Sequence, residues 1–136
     1  MAIKARHESG PTDADGQRTG EWTEYFKDGT TVSGRGSYLA GKKHGEWTYY
    51  FADGSLSARG SLRHGELHGP WVWYRQGGGP MQEGSFVDGV QDGHWRRWFD
   101  TGSLMDEGDY ALGKKRGEWT YYNPDGSVKK VSNHRG

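Results

Sequence analysis

The chain has 136 residues, the length of one domain, and its 18 basic and 18 acidic side chains cancel to zero net charge. Hydrophobic residues make up only 31%, but 14% of the chain is aromatic and 24 residues are glycine, a composition suited to short strands and tight turns. Zero cysteine excludes disulfides, thiolate nucleophiles and Cys-based metal sites; an even split of charge between the two halves excludes a basic half for nucleic acid, and no run approaches the ~20 apolar residues of a membrane-spanning helix.

Met1 to Gly16 holds no apolar run of signal-peptide length, which sets the expectation of a cytoplasmic protein. Within it, Glu8 to Asp15 fits the pattern of the rest poorly, so residues 1–15 are expected to form a degenerate cap or a frayed arm.

From there the chain repeats. Trp22, Trp47, Trp71, Trp95 and Trp119 are 25, 24, 24 and 24 residues apart. A glycine stands two residues before each (Gly20, Gly45, Gly69, Gly93, Gly117), and another four residues earlier still (Gly16, Gly41, Gly65, Gly89, Gly113). An aromatic follows three residues later (Tyr25, Tyr50, Tyr74, Trp98, Tyr122). A further column, Gly36, Gly60, Gly84 and Gly108, has Tyr38, Leu62, Phe86 and Tyr110 two residues on.

In the unit opening at Gly41, Glu46 to Phe51 reads as a strand by its aromatic and β-branched content. Asp53-Gly54 reads as a hairpin turn, and Leu56 to Leu62 as the return strand. Each Gly-x-x-x-Gly, such as Gly65 to Gly69, is expected to turn the chain into the next unit. The fold class is therefore all-β: an elongated, single, twisted antiparallel sheet of about five stacked β-hairpin repeats over residues 16–131, with a polar tail at 132–136. Trp47 and Tyr50 are three apart, which puts them on opposite faces of a regular strand. Either both faces are partly covered or a bulge rotates one column.

The runs Gly-Lys-Lys-His-Gly-Glu-Trp-Thr-Tyr-Tyr-Phe-Ala-Asp-Gly at 41–54 and Gly-Lys-Lys-Arg-Gly-Glu-Trp-Thr-Tyr-Tyr-Asn-Pro-Asp-Gly at 113–126 resemble MORN repeats. The Trp and the 24-residue period are similar to the bacterial MORN-variant branch, which includes proteins labelled as YwqK-type antitoxins. The resemblance implies an elongated repeat sheet used for protein contacts, sometimes proposed to touch phospholipid, with no shared catalytic residues.

Chemistry-bearing residues have structural readings in this frame. His44 and His68 share one repeat position and His64 lies four before His68, but the metal-pair spacing belongs to helices, and these are read as solvated turn residues. Asp28, Asp53 and Asp125 each precede a turn glycine, where Asp bonds local backbone. Gly77-Gly78-Gly79 is followed by Pro80 and lacks the Lys-Ser/Thr of a phosphate loop, so it reads as an enlarged turn. No enzyme, cofactor or metal site is expected.

Departures from the repeat are the places to look for function, because packing does not demand what other units do without. The column two after each Trp runs Glu24, Tyr49, Trp73, Arg97, Tyr121, and such variety predicts partial exposure. The column four after runs Phe26, Phe51, Arg75, Phe99, Asn123. Trp73, Arg75, Arg96 and Arg97, with Tyr49 and Tyr121, are either ladder pairs internal to the sheet or the centre of a partner-binding face rich in hot-spot residue types. The expected role is a non-catalytic module that neutralises or scaffolds another protein, a toxin or effector on the strength of the resemblance. The alternative is a peripheral membrane module whose Lys42, Lys43, Lys114, Lys115 and Arg116 meet anionic lipid beside exposed aromatics.

Overall fold

A computed structural model describes residues 7–135. Residues 1–6, the first part of the expected N-terminal arm, and Gly136, the end of the expected tail, lie outside the described residues. Eleven strands form one antiparallel sheet in strict chain order: β1 (Glu8–Ser9), β2 (Gly20–Tyr25), β3 (Val32–Leu39), β4 (Lys42–Tyr50), β5 (Leu56–Arg63), β6 (Glu66–Tyr74), β7 (Pro80–Val87), β8 (Val90–Trp98), β9 (Leu104–Ala111), β10 (Lys114–Tyr122) and β11 (Val128–His134). The all-β expectation of stacked hairpins in a single sheet is met, and no helix occurs among the described residues.

Two kinds of turn alternate along the chain. Within a unit, Asp28, Asp53 and Asp125 close the hairpin by accepting backbone N–H bonds, from Thr30 and Thr31, from Ser55 and from Ser127. Between units the turn is shorter than the sequence suggests. Ala40-Gly41, His64-Gly65, Asp88-Gly89 and Leu112-Gly113 all have positive φ at both residues, for instance 53° at His64 and 82° at Gly65. Two left-handed residues in a row make a type I′ turn, whose twist matches that of the strands it joins.

The Gly-x-x-x-Gly segment is thus not a turn but a turn followed by strand. In β4 the second glycine, Gly45, lies inside the strand at φ 78°, where the register against β3 shifts between Gly36 and Ser37. A bulge glycine accounts for the spacing as well as a loop would. In consequence His44 and His68 are strand residues, and only His64 sits in a turn. The reading as solvated turn residues holds for the exposed His64 and is corrected for the other two: His44 and His68 are half-buried strand residues, the His44 ring 6.4 Å from that of His64.

The core is a column of the repeat tryptophans on one face of the sheet. Each indole lies flat over a glycine of the preceding strand. A Cβ on Gly36, Gly60, Gly84 or Gly108 would stand 2.3, 2.1, 2.0 or 2.3 Å from ring carbons of Trp47, Trp71, Trp95 or Trp119. The indole N–H then reaches over to a carbonyl, from Trp47 to Ser37 at 2.8 Å and from Trp71 to Ser61 at 2.7 Å, so the buried polar atom is satisfied. Trp47 is fully buried in a sheet one layer thick. Its ring is covered by Tyr38, Tyr49 and the Lys43 ammonium, at 5.5, 5.9 and 4.3 Å, and the inter-unit turns tie each unit to the one before: Gly41, Gly65, Gly89 and Gly113 donate N–H bonds to the carbonyls of Arg18, Lys43, Leu67 and Gln91.

Both ends of the sheet differ from its middle. At the start, Gly10 takes the place of the seat glycine beneath Trp22, and the Trp22 indole donates to the Pro11 carbonyl at 2.8 Å. At the other end the seat column reaches Ser132, which pairs with Trp119 as Gly36 pairs with Trp22.

Candidate functional site

Strand alternation divides the aromatic columns between the two faces. The repeat Trp and the residue two after it share one face, called here the tryptophan face. The residue three after it lies on the other: Arg35, on the opposite face, sits over Tyr50, and Tyr122 donates to Glu107 there at 2.9 Å. Of the two alternatives left by the sequence, both faces being partly covered is the one observed.

On the tryptophan face the rings form a ladder. Trp47, Tyr49, Trp71, Trp73 and Trp95 stack in succession at 5.9, 6.3, 5.7 and 6.0 Å between centroids, with planes within 27° of one another. Tyr38, Phe86 and Tyr110 meet the same column edge-on. Aromatic pairs in these geometries contribute about 0.5–1.5 kcal/mol each beyond area burial. Cations cap the column toward its ends: the Arg18 guanidinium lies 4.2 Å above Trp22, and the Lys43 and Lys115 ammonium groups lie 4.3 and 4.6 Å above Trp47 and Trp119. Between them the same position carries Leu67 and Gln91.

A row of alternating ridges and troughs crosses this face. Register places Glu24, Gly34, Tyr49, Ala58, Trp73, Gln82, Arg97, Asp106, Tyr121 and Lys130 side by side on successive strands. The large side chains stand two strands, or about 9.5 Å, apart, with small or polar residues between them. Around Ala58 the trough opens into a cavity of about 470 Å³ bordered by Tyr49, Leu62, Leu67 and Trp73. Around Asp106 it opens into a smaller, polar one of about 330 Å³.

At that second trough the ladder is interrupted, because Arg97 stands where Tyr49 and Trp73 stand elsewhere. Arg97 Nε donates to both carboxylate oxygens of Asp106, at 3.1 and 3.2 Å, and Nη2 donates to Oδ2. Asp106 is 1% exposed, whereas the Arg97 side chain is 51% exposed. The carboxylate raises the guanidinium pKa further above its ordinary value. Nearby, Lys115 donates to the Tyr121 hydroxyl at 2.9 Å and holds that phenol below its usual range.

The residues singled out in the sequence are therefore split. Tyr49, Trp73, Arg97 and Tyr121 share the row. Arg96 points from the opposite face, between Glu83 at 3.6 Å and Glu107 at 3.4 Å. Arg75 belongs to the β6–β7 hairpin, where its Nη2 donates to the Trp98 carbonyl at 2.9 Å and links neighbouring hairpins. Trp73 and Arg97 are not adjacent: Gln82 pairs with both from the strand between them. Of the basic set, Lys43 and Lys115 cover the tryptophans, and Lys42, Lys114 and Arg116 are exposed.

The opposite face carries a shallow groove of about 1000 Å³ over Ser61, Pro70, Val72 and Ser85. Its rim pairs, such as Arg59 with Glu46 at 3.7 Å, are solvent-exposed and contribute little. Sequence reading missed Gln82, Gln91 and Asp106. The signal was present in the column Gly34, Ala58, Gln82, Asp106, where small residues give way to polar ones.

Two segments, residues 43–64 and 115–135, match the family model of the MORN repeat variant. These are the units that keep Lys over Trp and Tyr at both following aromatic positions. No curated protein matches the chain. MORN repeats are commonly modules for binding proteins or membrane lipids.

Proposed function

We propose that the chain is a non-catalytic module that binds another protein through the ridge row of the tryptophan face, a toxin or effector being the partner class in view. The observation that carries this reading is the half-buried state of Tyr49, Trp73 and Tyr121 above tryptophans that are already sealed. Rings held by their neighbours yet still half accessible form an ordered surface that loses little side-chain entropy on docking. Arg97 adds a directional polar group, and Trp, Tyr and Arg are the types that dominate binding hot spots. Binding would act sterically, by covering a functional surface of the partner.

Affinity capture with the tagged chain, followed by mass spectrometry and a quantitative binding assay, tests this. Trp73→Ala and Tyr121→Ala are expected to weaken a stoichiometric partner at least tenfold, whereas Arg59→Gln on the opposite face leaves it unchanged. Equal affinity for all three folded variants would sink the reading.

One rim of the sheet favours a second reading. The inter-unit turns expose Leu39, Val87, Val90 and Leu112, the last 87% accessible, next to Lys42 and Lys114. Apolar tips beside cations suit the surface of an anionic bilayer. Salt-sensitive co-sedimentation with phosphatidylserine vesicles, lost in Leu112→Ser, would support it, and no pelleting at low salt would dismiss it.

A further inference from the structure

Four polar substitutions in the repeat converge on one place. Gln82 and Asp106 stand where Gly34 and Ala58 stand in earlier units, Arg97 replaces Tyr49 or Trp73, and Gln91 replaces Lys43 or Leu67. All four line the 330 Å³ cavity, together with Lys115 and the edges of three core rings. The fold does not need them, since the neighbouring units build the same sheet with Tyr-Ala or Trp-Ala pairs. Nor is stability a reason for them: a buried ion pair is often matched or exceeded by well-packed apolar residues of similar volume.

The charge of the lining is unbalanced toward cations, while its two glutamine amides can donate or accept. Asp106 is the one carboxylate, and Arg97 already occupies both its oxygens. Among the described residues, Arg97 Nη1 and the side-chain amides of Gln82 and Gln91 bond no protein group, and Lys115 bonds only the Tyr121 hydroxyl. Two cations facing one carboxylate leave a single uncompensated positive charge. A group that fits must be compact, rich in acceptors and singly negative, and a carboxylate meets all three conditions. A phosphate dianion would set a second negative charge against the buried Asp106.

We propose that this cavity is a carboxylate subsite on the tryptophan face and that it receives a Glu or Asp side chain of the protein partner. The assignment rests on the protein-binding reading above. Arg97 Nη1 and Lys115 supply the charge-assisted bonds, the two glutamine amides fix orientation, and Asp106 positions the guanidinium. The troughs divide the labour: the apolar one at Ala58 takes a hydrophobic side chain, the polar one an acidic anchor.

The test is an NMR titration of the ¹⁵N-labelled full chain with N-acetyl-glutamate N-methylamide, observing the indole N–H groups of Trp95 and Trp119 and the Arg97 Nε–H. Saturable, salt-sensitive shifts are expected, with shifts at least fivefold smaller for the neutral glutamine analogue. Arg97→Tyr combined with Asp106→Ala restores the repeat pattern, so it should fold with an unchanged or higher urea midpoint and lose the response. No saturable shift, equal shifts with the glutamine analogue, or a response that survives in the double variant would each overturn the proposal. Succinate separates the sources: tighter binding of succinate than of the blocked glutamate points to a free dicarboxylic acid and overturns the protein-anchor assignment. A failed titration with partner capture intact removes the subsite and leaves the binding face. A positive titration with no captured partner does the reverse.

Discussion

A single hydrogen atom in place of a methyl group is what lets each indole lie flat on the sheet. At Gly84 an added Cβ would stand 2.0 Å from Trp95, inside a column that cannot shift without moving its neighbours. Gly84→Ala is therefore expected to cost about 1–3 kcal/mol or more, whereas Ser85→Ala, one residue on and facing the other way, stays within about 0.5 kcal/mol. Urea midpoints of the two variants decide the matter, and equal midpoints would refute the seat argument. Also at this scale, Asp28 accepts bonds from the Thr31 hydroxyl and from the Thr31 and Thr30 backbone N–H groups, which lower its pKa from 3.8 to about 2. A carboxylate depressed on folding stabilises the native state above its unfolded pKa, and that contribution fades as pH falls from about 4 toward 2. A carboxyl-carbon NMR titration should find the Asp28 midpoint near 2 and, in Thr31→Val, shifted back toward the ordinary value. A native midpoint at the ordinary value would contradict the turn geometry.

At the scale of the strand and the turn, the sequence revealed the hairpins but not all of their boundaries. Asp53-Gly54 announces a turn because both residues have local reasons to be there. Gly41 and Gly45 look alike in the sequence, yet one closes a type I′ turn and the other opens a bulge, since a positive φ serves either purpose. The division of Trp47 and Tyr50 between faces was open for a related reason: an extra residue on β4 between them would have reversed it, but the register shift at Tyr49–Tyr50 puts the extra residue, Ser57, on β5. The candidate site was half legible. Tyr49, Trp73, Arg97 and Tyr121 share a column and can be read together, but Asp106 belongs to the return-strand column, and its role comes from the pairing of β9 with β8, which fixes which return-strand residue faces Arg97. Arg96 and Arg75 were grouped with them as departures from the repeat, a grouping that strand alternation and the hairpin end undo. The pairing makes its own prediction: Arg97→Leu alone strands a buried carboxylate and is expected to cost about 3–5 kcal/mol. Adding Asp106→Ala to that variant should recover most of the loss. If Arg97→Leu melts like the native chain, the buried pair is not as drawn.

At the scale of the whole molecule, each unit leans on its neighbours and on little else, so stability should scale with the number of units. Deleting residues 65–88 joins His64 to Gly89, restores a two-residue turn of the same kind, and sets Trp95 over Gly60. The shortened chain is expected to fold, with a urea m-value lower by about a sixth and a lower midpoint. Loss of all β-sheet circular dichroism would show that the units are not interchangeable.

The last strand, β11, differs from the others at its seat. Every seat along the tryptophan face is a glycine except the last, where Ser132 carries a side chain and no further indole can come to rest. A lineage, or an engineer, can lengthen this protein by inserting units anywhere inside it, but a unit appended after β11 will find no place to lie until that serine is first changed to glycine.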